Sequence, residues 1–123
     1  MVVHESQLKI LGNKSFETWL ARHVRCFFPE FAARHSKASL REWIRRNRTA
    51  AGEYFQTEPG VSLYIDLACL FGDHFAADPR LPWASEILNS RTLNESRRRR
   101  ELYNRARAHL LGPIPQGRIR RSA

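Results

Sequence analysis

The spacing of apolar residues constrains the fold of this chain more than any other feature of its sequence. These residues recur at steps of three and four, the period of a helix face, whereas strand-like alternation is confined to residues 1–3 at most. The first stripe precedes Phe28-Pro29 and comprises Leu8, Leu11, Phe16, Trp19, Leu20, His23, Val24 and Phe27. This period predicts an all-α fold.

Two further helices are marked by their start signals. Ser39 and Glu42 have the spacing of a capping box, in which the hydroxyl caps an amide and the carboxylate reaches back. Thr57, followed by Glu58-Pro59, predicts the start of the next helix, because threonine caps well and proline is tolerated in the first turn. The helix opened by Ser39 directs a set of apolar side chains inward, namely Leu40, Trp43, Ile44, Ala51 and Phe55.

The segment Val61–Phe71 carries apolar residues on nearly every side. A helix of this kind is covered by its neighbours, so we expect it at the centre of the fold. Gly72 is the expected end of this helix, because glycine adopts the backbone conformation that stops one. We therefore predict a single small orthogonal bundle of about five helices around this central helix.

The stretch 72–83 is rich in turn-forming residues and predicts an ordered loop. Its two prolines fix the backbone, and a brief helix is expected from Pro82 to about Leu88. Two interpretations of the large apolar side chains in the loop stay open. Phe75 and Trp83 either pin the loop to the core, which we favour for Trp83, or present a rigid anchor to a partner.

The last helix is predicted from about residues 94–96 to Leu111, where glycine and proline follow. Its expected inner stripe consists of Leu102, Tyr103, Ala106 and Leu110. Residues 1–111 form one helical domain in this interpretation. The basic tail 112–123 is expected to be disordered, because it combines arginines with glycine and proline.

Arginine dominates the charge of the chain. Only three of the 21 basic side chains are lysines, and the formal net charge is +9. Such a charge attracts nucleic acid, an anionic membrane surface or an acidic protein, and it does not choose among them. Arg97–Arg100 form the densest run, but four consecutive residues fan out around a helix and cannot share one groove.

The cysteines and the N-terminus bear on the compartment. Cys26 and Cys69 lie within apolar helical patterns and lack CxxC spacing, so we expect unpaired core thiols and no zinc site. The N-terminus turns polar at once, which disfavours a signal peptide, and the apolar stretch 61–71 is too short to span a bilayer. We expect a cytoplasmic protein.

One group of side chains has the composition of a catalytic or metal site: Asp66, Asp73, His74 and Asp78. We favour a structural interpretation, in which Asp73 and Asp78 accept local backbone amides. Asp66 lies on an apolar helix and needs a partner, because an unpaired buried carboxylate is costly. An arginine is the expected partner, and a role in catalysis or partner binding is the alternative. We therefore expect no catalytic residue, no metal and no cofactor.

Candidate partner-binding residues are large or charged side chains of the loop and of the last helix. Within the loop, Leu81 and Arg80 are expected to be exposed. The candidate set comprises Phe75, Arg80, Leu81, Trp83, Arg97, Arg98 and Arg100. A second set is expected to shape the fold, namely Asp66, Gly72, Asp78, Pro79 and Pro82.

Many of these positions fall into one longer pattern: Tyr64-Ile65-Asp66-Leu67, Phe71-Gly72, Phe75, Asp78-Pro79, Leu81-Pro82-Trp83-Ala84 and Ile87-Leu88, with Phe28-Pro29 upstream. The pattern resembles that of small helical accessory proteins encoded beside spike, PAAR-type and toxin genes of bacterial type VI secretion systems. The resemblance covers residues 5–111. It implies a bacterial cytoplasmic protein that serves an effector as adaptor, co-chaperone or immunity partner.

The expected function is that of a non-catalytic protein-binding accessory for a secreted effector or its loading chaperone. One alternative is an immunity protein for a cognate toxin, although the positive charge disfavours inhibition of nucleic-acid-degrading toxins, whose inhibitors mimic phosphate. A further alternative is nucleic-acid binding through the Arg-rich last helix, although no DNA-reading motif or aromatic strand platform accompanies it.

Overall fold

The computed structural model describes residues 13–112, which form six α-helices and one short 3-10 helix. The prediction of an all-α fold is confirmed. The helices are α1 (Asn13–Phe27), α2 (Pro29–Ala33), α3 (Lys37–Ala51), α4 (Glu58–Phe71), α5 (Pro82–Leu88) and α6 (Glu95–Leu111), and the 3-10 helix is Phe75–Ala77. The predicted start of the first helix at Leu8 and the predicted tail after Gly112 lie outside the described residues.

The chain contains two compact units, one ending at Phe75 and the other beginning at Ala76. The first contains α1–α4 and the second contains α5 and α6. None of these six helices has both the length and the apolar character that crossing a bilayer requires. The prediction of one domain over residues 1–111 stays a prediction.

In the first unit, α4 packs against α3, and α1 packs against α2, α3 and α4. The largest side chains removed from solvent are Leu20, Val24, Leu40, Ile44, Phe55, Ile65 and Phe75. The expectation that α4 is covered on every side is wrong in part. Its buried side includes Tyr64 and Ile65, but Leu70 is 44% exposed. The apolar pattern on α4 is therefore wider than the face that its neighbours cover.

The helix starts follow local capping chemistry. The Thr57 hydroxyl accepts the Gly60 amide at 3.3 Å, as predicted for α4. The predicted cap of α3 at Ser39 is wrong, because Ser36 caps this helix and its Oγ accepts the Ser39 amide at 3.0 Å. The helix ends at Ala51, so Phe55 is buried from the following turn rather than from the helix.

Glycine has a steric role at two positions of the first unit. Gly72 ends α4 with φ +105°, a conformation that side chains with a Cβ rarely adopt, and the predicted helix end is confirmed. Gly60, in the first turn of α4, lies against Phe55. A Cβ at residue 60 would lie 2.5 Å from Phe55 Cδ1, so only glycine lets α4 approach this ring.

In the second unit, α5 packs against α6. The brief helix is confirmed from Pro82 to Leu88, and the last helix is capped by Asn94, whose Oδ1 accepts the Arg97 amide at 2.8 Å. The buried side chains of α5 are Trp83, Ala84, Ile87 and Leu88, and those of α6 are Leu102 and Ala106.

Two predictions about buried residues are wrong. Tyr103 and Leu110 were expected on the inner stripe of α6, yet they are 56% and 51% exposed, because the buried face of α6 follows only the narrow line through Leu102 and Ala106. Cys26 is exposed and Cys69 is half-buried, so neither thiol belongs to the core. Both thiols are unpaired, as predicted.

Candidate functional site

The first unit has an apolar groove of about 420 Å³ between α1 and α4. It is open to solvent. The lining residues are Phe16, Trp19, Glu58, Pro59, Ser62, Leu63 and Asp66. Phe16 is buried beneath the groove, whereas Trp19 on its wall is 42% exposed. An exposed tryptophan beside partly exposed aliphatic residues is typical of a surface that a partner covers.

A ladder of rings continues the groove wall along α1. The ring centroids of Trp19 and His23 are 5.1 Å apart, and those of His23 and Phe27 are 4.8 Å apart. The three residues are spaced by four, so their side chains lie above one another on the same helix face. Phe27 is 68% exposed at the end of this ladder. The ladder therefore extends the apolar surface beyond the groove itself.

A polar bridge crosses from α1 to α4 at the end of the groove. His23 Nε2 donates a hydrogen bond to Asp66 Oδ1 at 2.8 Å, and both side chains are largely buried. The prediction that Asp66 pairs with an arginine is wrong. Arginine was favoured because it is abundant in the chain, but the helix packing places His23 opposite Asp66. Asp66 is a half-buried, paired residue, as the predicted structural role requires.

Burial raises the pKa of the Asp66 carboxyl above its ordinary value, and the hydrogen bond and charge of His23 lower it in part. The carboxylate is therefore only partly compensated in the folded chain. Glu58, at the other end of the groove, is half-buried in the first turn of α4. The groove thus combines an apolar lining with two carboxyl groups, in a chain whose formal net charge is +9.

A histidine held by an aspartate is also the pair that orients a general base in many hydrolases. Within residues 13–112, however, the only hydrogen bond of the His23 side chain is the one to Asp66. The neighbouring Cys69 thiol has a pKa raised to about 12, mainly by burial and also by the carboxylates of Asp66 and Asp73. This thiol stays protonated at neutral pH, so it does not provide a thiolate nucleophile.

The carboxylates of the candidate catalytic cluster have separate partners. Asp73 Oδ1 accepts the Trp43 indole N–H at 2.6 Å, so its partner is a side chain and not the predicted backbone amide. Asp78 accepts the Arg80 amide at 2.9 Å, as predicted, and also pairs with its guanidinium. This pairing holds the pKa of the Asp78 carboxyl below its ordinary value. Residues 13–112 contain no group of three or more side chains arranged to hold a metal ion.

The loop side chains divide differently from the prediction. Phe75 and Trp83 are buried, as favoured for Trp83, and Arg80 is exposed as expected. Leu81 was expected at the surface, but it is only 4% exposed. Because Leu81 is the residue that precedes α5, it turns into the fold together with Trp83. Three of the seven candidate partner-binding residues, Phe75, Leu81 and Trp83, are therefore inaccessible in this conformation.

The arginine run of α6 has two roles. Arg98 is half-buried and its guanidinium donates to the carbonyls of Leu93 and Ser90, at 3.0 and 3.4 Å. It therefore fixes the connection between α5 and α6. Arg97 and Arg100 are exposed.

The groove residues Phe16, Trp19, Glu58, Pro59 and Leu63 were not among the predicted partner-binding residues. The helical period alone did not single them out. Trp19 and Val24 lie at the two edges of the apolar stripe of the first helix, about 140° apart at 3.6 residues per turn, yet Trp19 is 42% exposed and Val24 is fully buried.

No family model, curated protein or solved structure matches this chain.

Proposed function

We propose that this protein is a non-catalytic binding accessory, whose groove between α1 and α4 holds an apolar segment of another protein that carries a basic side chain. The observation that carries the proposal is the groove itself, where the exposed ring of Trp19 lies beside Leu63 and Pro59. A large aromatic side chain next to aliphatic ones provides the kind of pocket in which binding energy concentrates.

The charge of the groove supports the chemistry of the occupant. Glu58 and Asp66 lie at the two ends of an otherwise apolar lining. A lysine or arginine on the bound segment would approach one of these carboxylates while its apolar neighbours contact Trp19. Phosphate groups would be repelled at the same place, so the groove favours a protein segment over a nucleic acid.

The identity of the partner follows only from the sequence resemblance to accessory proteins of bacterial type VI secretion systems. On that basis we propose that the partner is a secreted effector or its loading chaperone, and that the protein acts as adaptor or co-chaperone in the bacterial cytoplasm. The groove is small, about 420 Å³, and a surface of this size fits a transient complex rather than a permanent one.

Co-expression with the products of the adjacent effector and chaperone genes, followed by co-purification and calorimetry, tests the proposal. Trp19→Ala and Glu58→Lys should each weaken the complex by about tenfold or more, which corresponds to about 1.4 kcal/mol. Glu53→Lys is the matched control, because Glu53 is an exposed acid outside the groove. This control should bind as the unmodified chain does.

Two outcomes would contradict the proposal. One is that the protein elutes alone from every mixture. The other is a complex that Trp19→Ala and Glu58→Lys leave unchanged. A thermal melt of each variant establishes that it is folded, and Glu58→Gln replaces Glu58→Lys if the lysine unfolds α4. Protection of cells that express the cognate toxin would instead favour the immunity alternative, since an adaptor predicts failed export without protection.

A further inference from the structure

The outer face of α6 has a stripe that the groove does not explain. Arg100, Tyr103, Arg107 and Leu110 are spaced by three and four, so they project within an arc of about 80° on the helix. All four are exposed, with Tyr103 at 56% and Leu110 at 51%. We name these four residues the α6 stripe.

Glu101 follows Arg100 in the sequence, but it forms no ion pair with either arginine of the α6 stripe. In the described part of the chain, no carboxylate forms an ion pair with Arg100 or Arg107. The whole of α6 carries six arginines and two glutamates, so its charge is strongly positive. Positive groups that repel one another on a helix gain from an acidic partner that lies against them.

The apolar residues of the α6 stripe, Tyr103 and Leu110, indicate which kind of acidic partner fits. Tyr103 and Leu110 alternate with the two arginines in the spacing of a helix–helix seam, three and then four residues apart. A phosphate backbone would use the arginines and leave Leu110 in water. Arg105 also lies on nearly the opposite side of the helix from Arg107, so the arginines of α6 do not converge on one strand of nucleic acid.

We propose that the α6 stripe docks an acidic amphipathic helix of a second protein. Its glutamates or aspartates pair with Arg100 and Arg107, and its apolar residues pack on Tyr103 and Leu110. This surface belongs to the second unit, and the inference does not depend on the proposed use of the groove. Together with the proposed groove, this surface would let the chain hold two partners at once, as an adaptor does.

A display library of helical peptides of about 20 residues, long enough to form several turns, tests the proposal. Its outer positions are drawn from glutamate, lysine, leucine and alanine, and the bait is the full-length chain. We expect enriched peptides to carry acidic residues seven apart with leucines between them. Their dissociation constants should rise about tenfold or more on R100E/R107E and on Y103A/L110A, a loss of at least about 1.4 kcal/mol.

Arg105→Glu is the matched control, because it makes the same charge change on the same helix but outside the α6 stripe. It should change the affinity by no more than about twofold, since the effect of a distant exposed charge is screened by salt. Circular dichroism establishes the fold of each variant, and R100Q/R107Q replaces the charge reversal if that variant is unfolded.

Three results would overturn the inference. Enrichment of acidic peptides without the apolar spacing, with equal losses on Arg105→Glu, would reduce the surface to diffuse charge. Failure of the library to enrich any acidic peptide would remove the docking site. Tighter binding of a labelled RNA or duplex DNA than of any enriched peptide, lost on R100E/R107E, would assign the stripe to nucleic acid instead.

Discussion

Gly60→Ala provides a test of how the groove is built. Gly60 lies in the first turn of α4, next to Glu58 and Pro59 of the groove, and it packs directly on the ring of Phe55. Alanine is the best helix former, so helix propensity alone predicts that the variant is more stable by about 0.8–1 kcal/mol. The tertiary contact predicts the opposite.

The magnitude follows from three distances. A Cβ at residue 60 would lie 2.5 Å from Cδ1, 2.6 Å from Cγ and 2.7 Å from Cβ of Phe55. Carbon atoms in contact are about 3.5–4.0 Å apart, so Phe55 and α4 must separate by about 1 Å. Rotation of the ring cannot relieve the contact with Phe55 Cβ, and this residue is 1% exposed. Overpacking typically costs about 1–3 kcal/mol, and three contacts under 3.0 Å place this site in the upper part of that range, at about 2–3 kcal/mol. After the propensity gain of about 1 kcal/mol, the net loss is about 1–2 kcal/mol.

Urea unfolding followed by circular dichroism measures this loss as a lower midpoint. Gly52→Ala is the matched control, since Gly52 has φ −62° and its nearest contact for a new Cβ is the Thr49 carbonyl at 3.3 Å. That control should be neutral or gain up to about 1 kcal/mol through the lower entropy of its unfolded chain. A Gly60→Ala variant as stable as the unmodified chain, or more stable, would refute the reasoning.

Three further predictions concern paired side chains. His23→Phe keeps a ring in the α1 ladder but removes the donor to Asp66, so the pKa of the Asp66 carboxyl, already raised by burial, should rise further in a carboxyl NMR titration. Because a raised carboxyl pKa makes the folded state less favourable as pH rises through it, the loss of stability in this variant should grow from acidic to neutral pH. A loss of stability that is independent of pH would contradict the assignment. Arg80→Gln should raise the lowered pKa of the Asp78 carboxyl in the same titration. The pairing with Arg80 stabilises the fold above the unfolded-state pKa of Asp78, and this stabilisation is lost as pH falls through the folded-state pKa. An unchanged titration of Asp78 would show that the backbone amide alone lowers its pKa. Arg98→Ala should lower the free energy of unfolding in urea by about 1–2 kcal/mol, because the hydrogen bonds of its guanidinium to two carbonyls are lost. Alanine at the exposed Arg97 should lower it by less than about 0.5 kcal/mol.

The helices were accessible to sequence reasoning because their signals are local. Thr57 as cap and Gly72 as end of α4 are confirmed, and so are the bounds of α5. The cap of α3 was misplaced by three residues, because Ser36 and Ser39 both have suitable hydroxyls. In the structure the extended Ser36 caps the helix, whereas the Ser39 hydroxyl is hydrogen-bonded to the His35 ring.

The candidate site was less accessible, since it depends on which faces remain uncovered. Trp19, Phe27 and Tyr103 belong to apolar patterns that are equally consistent with burial, yet all three are exposed. Leu81 shows the reverse error, because it was expected at the surface and lies in the interior. Helical period states which residues share a face, but it does not state whether a neighbour covers that face.

The sequence by itself determined an all-α chain, the main helix starts and ends, and a half-buried Asp66 that needs a partner. These properties depend on side chains within about four residues of one another, the reach of a helix turn. Only the tertiary structure decided that the partner of Asp66 is His23, 43 residues earlier, and that α1 and α4 leave an apolar groove between them. The physical reason is that contacts between helices depend on the relative placement of whole faces, which no local pattern of residues specifies.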